Sequence, residues 1–405
     1  MSSVRVSELA IRQYKSIENC RIELEPLTIL VGRNGAGKSN IIDAIRFVTD
    51  ALRNTLEYAI RERGGIEQVR RKSLGGRPTH PGVELTLRLP DGGSARYAFR
   101  IAAVKGRDFR IDKEACSVTA ANGERADFKV EDGNGAWSLN GPMPPVQLDR
   151  LMLVALSGYS QFRPVFDVLT RMAFHNLNAE AMKLPQRPEP GTLLAHDGRN
   201  LASVIKQMQS ASPEALQRVV EYLRVIGVQI SRVAHKQAGA LETFEVAQEK
   251  SRDNGHKNLN FDAIALSDGT IRALGILISI LSARSSAGSG PAFIGIEEPE
   301  TALHPAAAGA LMDALIEGAR RTQLIISCHS PDLLEHSSVT AEMIRAVILA
   351  DGSTSVGKLD PRKVELLRQH LTSAGELLRM DQLEPDPEDI KRQVEAAGTL
   401  WAGTN

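Results

Sequence analysis

The sequence predicts an α/β fold, and three observations carry the prediction. A short apolar run, Leu27-Thr28-Ile29-Leu30-Val31, leads without a break into Gly32-Arg33-Asn34-Gly35-Ala36-Gly37-Lys38-Ser39 and then into a helical pattern from Asn40 to Val48. Residues 82–139 alternate apolar and polar positions between turn signals, the pattern of an antiparallel meander. Two further apolar runs, ending at Glu297-Glu298 and at His329, alternate with helical stretches in the C-terminal part.

The first observation is the most specific. Strand, glycine-rich loop and helix in immediate succession form the context in which G-x-x-x-x-G-K-[ST] binds phosphate. Glycines let the backbone turn successive N–H groups inward, and the helix N-terminus adds partial positive charge. Lys38 is expected on the β- and γ-phosphates, and Ser39 on Mg²⁺. Gly32 to Asn40 are thus the expected nucleotide-binding residues.

Composition narrows the class. The chain has 405 residues, 42% of them hydrophobic, enough for a sizeable core. Lys plus Arg is 49 and Asp plus Glu is 49. With zero net charge no global field draws the protein to nucleic acid or a membrane, so a DNA contact would need a local patch. Cys20, Cys116 and Cys328 are far apart and match no metal spacing, so free thiols in a reducing compartment are expected. The N-terminus has no signal-peptide core and no apolar run reaches ~18 residues, so a cytoplasmic protein without membrane contact is expected.

Taken in order, residues 3–31 alternate as two or three strands. Tyr14-Lys15-Ser16 sits on a bend, where Tyr14 either stacks on a base or is an edge aromatic. Residues 40–62 read as one helix stopped by Gly64-Gly65. A basic stretch follows (Arg61, Arg63, Arg70, Arg71, Lys72, Arg77), which is either a phosphate-contacting patch or a solvated surface. After the meander of four to six strands, residues 142–225 read as mostly helical, with a Pro-rich loop starting at Leu184. Residues 226–250 read as a hairpin. Beyond 262 helix and strand alternate, a final helix lies near 361–380, and the polar tail after Pro385 is expected to be loosely held.

The later stretches carry chemistry that gains meaning from the loop. Glu297 and Glu298 close an apolar strand; one carboxylate can hold Mg²⁺ through water and the next can orient the attacking water. Ser267, in Leu266-Ser267-Asp268-Gly269-Thr270, precedes an apolar helix and offers a hydroxyl and N–H groups to an anion; read alone, it is an ordinary helix cap. His329, in IISCHSP, ends another buried strand; it can touch a γ-phosphate, although a lone histidine there is usually structural.

The order of these pieces resembles an ABC-type ATPase head of the RecF/SMC-like class, and among these the bacterial AAA-family ATPases related to OLD proteins. The motifs that carry the resemblance are LAIRQYKSIENCRIELEPLTILVGRNGAGKSNIIDAI, LSDGTIR, IGIEEPETALHP and IISCHSP; RGGIEQV, HDGRNLASVI and RAVILADGSTSV match more weakly. The resemblance implies a P-loop NTPase fold: a two-lobed ABC-type head with an antiparallel β-subdomain and a helical insertion. It implies one domain over 1–405, with an N-terminal lobe to 140, a helical insertion and hairpin over 141–260, the signature, Walker B and switch histidine over 261–350, and a C-terminal strand, helix and tail over 351–405.

By the same resemblance, Glu297 takes the Walker B position, Glu298 is the catalytic glutamate, His329 the switch histidine, and Ser267 and Gly269 the signature closing on a second subunit's nucleotide. Gln161, in GYSQFRP, is the candidate Mg²⁺-sensing glutamine. Two departures matter: Glu297 replaces Asp, and Asp268 sets a carboxylate in the signature, which would either weaken ATP-driven dimer closure or require a cation or arginine nearby. No Toprim nuclease domain or SMC-type coiled coil is recognisable. The implied activity is ATP hydrolysis with Mg²⁺, by ATP-gated homodimers or higher oligomers. The implied setting is DNA repair or maintenance, or phage defence, with a separate nuclease or effector and DNA as possible partners. The alternative is a regulatory switch or scaffold without DNA contact. A transporter subunit fits the signature poorly.

Overall fold

The computed structural model describes residues 5–72, 80–89, 91–104, 107–252, 255–282, 290–301 and 303–396. The strands, in chain order, are β1 (Arg5–Tyr14), β2 (Ile17–Glu23), β3 (Leu27–Val31), β4 (Gly82–Arg88), β5 (Ser94–Val104), β6 (Arg107–Thr119), β7 (Arg125–Glu131), β8 (Asn134–Trp137), β9 (Met172–His175), β10 (Arg232–Ala238), β11 (Leu241–Arg252), β12 (Gly255–Asp262), β13 (Phe293–Glu297), β14 (Gln323–Cys328), β15 (Ile344–Ala350) and β16 (Ser353–Gly357). The chain divides into two compact units. Unit 1 comprises Met1–Met172, Ala341–Leu371 and Asp381–Asn405; unit 2 comprises Ala173–Thr340 and Thr372–Met380.

In unit 1 the strands run in the order β8-β7-β6-β5-β4-β1-β2-β16-β15-β3. The side from β8 to β2 is antiparallel, as the alternation predicts, with a bulge between Val6 and Glu8. β3 pairs in parallel with β15, and β2 with β16. Parallel strands buried on both faces read as continuous apolar runs, and β3 is buried at all five positions. Helix Lys38–Arg53 turns Ile41, Ile42, Ala44, Ile45, Phe47 and Val48 into the core. There Tyr14, Phe47, Phe99 and Tyr97 form an aromatic chain with centroids 5.7–6.2 Å apart.

Unit 2 holds the order β14-β13-β9, with β13 and β14 parallel, and a separate antiparallel sheet β10-β11-β12. Its helix Asp268–Leu281 is buried from Ala273 to Leu281. Two glycines allow close packing here: a Cβ on Gly318 would lie 2.1 Å from Ile280 Cγ2, and one on Gly275 would lie 2.9 Å from Leu177 and from Met182.

Five expectations change. The helix expected over 40–62 breaks at Asn54, because Thr55 caps a second helix, Leu56–Arg61, by accepting from Tyr58 N. The mostly helical stretch contains the strand β9, and the hairpin gains a third strand, β12. The helix near 361–380 is two helices, Pro361–Arg368 and Ala374–Arg379; His370 takes φ 53° and Ser373 with Glu376 forms a capping box. The tail after Pro385 is not loose up to Ala396: Pro387–Ala396 is a helix on which Gln393, 7% exposed, accepts from Arg21 N and donates to Val356 O. The three cysteines are buried and form no disulfide. Among the described residues no helix is long and apolar enough to cross a membrane.

Candidate functional site

In unit 1 the phosphate loop is a backbone device. The pairing of β3 with β15 brings Gly32 against the next strand so closely that a Cβ would lie 2.0 Å from Val347 O. Gly35 and Gly37 take φ of 78° and 103°, left-handed values that glycine adopts without a steric cost. A Cβ on Gly37 would lie 2.1 Å from Thr354 Oγ1. Thr354, on β16, donates to Ala36 O at 2.9 Å and shares a 2.7 Å hydrogen bond with Ser16 Oγ. Ser16 Oγ also accepts from Asn40 Nδ2 at 2.7 Å. The loop is thus held from both sides by neutral groups.

Lys38 is 5% exposed; its Nζ donates to Gly32 O at 2.7 Å and Arg33 O at 3.0 Å, which keeps the ammonium over the loop. No acidic residue lies in the first turn of helix Lys38–Arg53, so that turn sets no negative charge against the helix-end N–H groups. Arg33, Asn34, Gly35 and Ser39 are exposed, and Arg33 reaches Asp381 at 2.9 Å. This donor set fits a polyphosphate, with the Ser39 hydroxyl able to serve as one magnesium ligand. Among the described residues no group of three or more His, Cys, Asp or Glu forms a metal cage.

In unit 2 the side chains are acidic and less tightly fixed. Glu297 ends β13 in register with Ser327 of β14. Glu298 takes φ 45°, a strained value for a non-glycine residue. Its N–H donates to Ser327 O at 3.1 Å and Ser327 Oγ at 3.2 Å, and its carboxylate, 41% exposed, accepts from Thr301 Oγ1 at 3.3 Å. His329 Nδ1 lies 3.7 Å from Glu298 Oε1 and 3.5 Å from Glu300 Oε1. Glu300 Oε1 also accepts from the backbone N–H of His329 (2.9 Å) and Ser330 (3.2 Å).

The signature stretch starts helix Asp268–Leu281. Ser267 is its N-cap, accepting from Thr270 N at 3.2 Å. Lys183 Nζ lies 2.5 Å from Asp268 Oδ1. The bond to Asp268, aided by Glu180, raises the Lys183 pKa.

Comparison with known proteins identifies the family. The family described as "AAA domain, putative AbiEii toxin, Type IV TA system" matches residues 27–335. The chain belongs to this AAA-domain family. The AAA-domain chain is 30% identical over 132 residues to Structural maintenance of chromosomes protein 1 of Arabidopsis thaliana, covering 30% of this chain and 10% of that protein. It is 24% identical over 253 residues to DNA replication and repair protein RecF of Bifidobacterium adolescentis, covering 59% of this chain and 53% of that protein. The chain therefore spans about half, or far less, of the curated relatives it matches. In fold it is similar to an SMC head bound to the C-winged helix domain of ScpA, with TM-score 0.53 at 15% identity over 89% of this chain and 99% of that one. A Pyrococcus furiosus Smc head with an extended coiled coil is similar at TM-score 0.51 and 14% identity, over 91% of this chain and 99% of that one. The AAA-domain chain thus shares the fold of SMC ATPase heads and is similar in sequence to SMC and RecF proteins.

Two sequence alternatives, for Tyr14 and for the basic stretch, are settled by burial and pairing. Tyr14 is no base-stacking residue: it is fully buried and donates to Asp43 Oδ2 at 2.7 Å. The basic stretch is not a free patch among the described residues. Arg63, 5% exposed, pairs with Asp43 at 2.8 Å and Asp50 at 3.1 Å; Arg70 pairs with Glu67, Arg71 with Glu18 and Arg61 with Glu57. Lys72 donates to Gln68, and Arg77 lies outside the described residues. Burial opposes the charge on Asp43, but Arg63 and Lys15 hold its pKa below the usual carboxylate range. Gln161 is exposed and accepts from Ser160 Oγ at 3.2 Å.

Sequence reasoning missed the loop braces Ser16 and Thr354, the bridge from Glu300 to residues 329 and 330, and the partner Lys183. Only Glu300 had a local signal, as the third carboxylate of EEPE.

Proposed function

We propose that the chain binds Mg-ATP through Gly32–Asn40, with Lys38 on the β- and γ-phosphates and with Ser39, Glu297 and Gln161 serving the metal. Glu298 orients the attacking water and His329 meets the γ-phosphate. Two copies pair when ATP is bound, Ser267 and Gly269 of one contacting the nucleotide of the other, and hydrolysis releases the pair. The observation that carries this reading is the loop: Gly32 and Gly37 have no room for a Cβ, and the loop's backbone and Lys38 present donors to a polyphosphate.

The pairing serves DNA maintenance or defence against phage together with a separate nuclease or effector, as in OLD-like ATPases. The family's description as a putative toxin and the RecF relative support that setting. The second reading, an ATP-dependent switch without DNA contact, is favoured by one observation: Arg63, Arg70 and Arg71 are spent on internal ion pairs.

The test is mass by light scattering on the Glu298→Gln protein with and without Mg-ATP. A doubling with nucleotide, lost in Ser267→Arg, is expected. An unchanged mass would overturn ATP-gated pairing. Salt-dependent DNA binding by the paired form would separate the two settings.

A further inference from the structure

Among the described residues of unit 2, two buried polar atoms without a hydrogen-bond partner belong to neighbouring groups, Glu300 Oε2 and His329 Nδ1. Leaving a buried polar atom unpaired costs free energy, so such a pair calls for an explanation. Glu300 is anchored. Its side chain is 8% exposed, and Oε1 accepts the N–H groups of His329 and Ser330, so the carboxylate that ends the β13 turn clamps the backbone leaving β14. From that position it faces Nδ1 at 3.5 Å, a gap that a small side-chain rotation closes. The ring is 38% exposed although Nδ1 is buried, so the open edge is the one that bears Nε2.

We infer that Glu300 is a positioning residue for His329: it holds the proton on Nδ1 and leaves Nε2 as the outward nitrogen. The tautomer of an imidazole is set by the hydrogen bond its other nitrogen makes. A loose contact without ligand that tightens with substrate is the expected behaviour. Glu298, whose Oε1 is 3.7 Å from the same Nδ1, is the weaker claimant. It is 41% exposed, against 8% for Glu300, and donates its backbone N–H rather than clamping the histidine. Glu300 thereby frees Glu298 to face water.

This inference rests on the reading of His329 as the γ-phosphate residue for its consequence, but not for its geometry. The experiment therefore has two readouts on Glu300→Ala and Glu300→Gln. The first is the ¹³C and ¹⁵N imidazole shifts of His329, assigned by subtracting the His329→Asn spectrum. The second is kcat and KM for ATP. The protein as it stands should show the Nδ1–H tautomer. Glu300→Ala should move His329 toward a mixture of tautomers and lower kcat about tenfold with KM nearly unchanged. Glu300→Gln, which keeps an accepting oxygen, should retain most of the tautomer and should fold even where the alanine variant does not. Unchanged His329 shifts in folded Glu300→Ala, or the same tautomer shift in Glu298→Gln, would overturn the proposal. A shifted tautomer with unchanged kcat would sustain the positioning role and instead defeat the assignment of His329 to the γ-phosphate.

Discussion

The phosphate loop of unit 1 and the acidic strand ends of unit 2 are built on opposite principles. The loop is made of backbone: Gly32 and Gly37 sit where no Cβ fits, and neutral groups from Ser16, Asn40 and Thr354 hold it. The strand ends are made of charge: Glu298, Glu300 and His329 crowd together with a strained backbone and unpaired buried atoms. A cradle for a constant shape is best built rigid beforehand, whereas groups that orient water and sense a phosphate must respond to what arrives.

The largest effects should come from breaking the rigid half. Gly37→Ala forces a side chain to φ 103° and against Thr354. It should weaken ATP binding about a thousandfold or more, and Lys38→Ala about a hundredfold, both read by calorimetry. Near-normal affinity in Gly37→Ala would mean that the loop relaxes and is not a preformed cradle. Glu298→Gln should leave ATP affinity nearly unchanged and lower hydrolysis about 10²- to 10⁴-fold in a single-turnover assay. A comparable loss of binding in that variant would erase the distinction between the two halves.

How much of this was legible follows the same division. The loop could be read because its chemistry is local: glycine, lysine and serine at fixed spacing between a strand and a helix. Thr354 could not, since it lies 338 positions from Ser16 and carries no motif. The run GHKNLNFD of β12 lacks apolar alternation, and the terminal helix has only Ile390 and Val394 as apolar side chains longer than alanine, so neither announced itself. The arginines at 63, 70 and 71 looked like surface charge because sequence does not show Asp43, Asp50, Glu67 and Glu18 converging on them.

The next effects probe each half alone. In unit 1 Glu114 is buried and accepts from Tyr97 Oη and from the N–H groups of Met152 and Leu153; burial outweighs these bonds and pushes its pKa up to about 7. The native state then holds a proton that the unfolded chain releases near 4.5, so stability falls as pH rises from there to about 7, by about 3 kcal/mol at most. Trp137 lies in unit 1. Its fluorescence in a Trp401→Phe background should therefore show a lower urea midpoint at pH 8 than at pH 5, and Glu114→Gln should flatten that difference. An unchanged slope would remove Glu114 as its source. In unit 2, Glu298→Gly should relieve the φ 45° strain and raise stability by about 1 kcal/mol while hydrolysis is lost. A destabilised glycine variant would show that the strain is relieved by its surroundings.

The smallest effect tests whether the charge in unit 2 is tuned or incidental. Asp268 sits in the first turn of the helix whose cap we propose meets the second copy's nucleotide, and Lys183 neutralises it at 2.5 Å. Asp268 is 59% exposed, so screening keeps the pair weak for stability. For pairing across copies the sign matters more than the size. Without Lys183 the carboxylate would repel the incoming phosphate. Lys183→Ala should then weaken ATP-driven pairing about two- to fivefold at low salt and hardly at all in ~0.5 M salt, where the Debye length is only a few ångströms. Asp268→Ser should restore pairing in the Lys183→Ala background, because it removes the charge that needed neutralising. Equal losses in the single and double variants would show that Lys183 acts by its own contact with the nucleotide, and the pair would then be recognition rather than compensation.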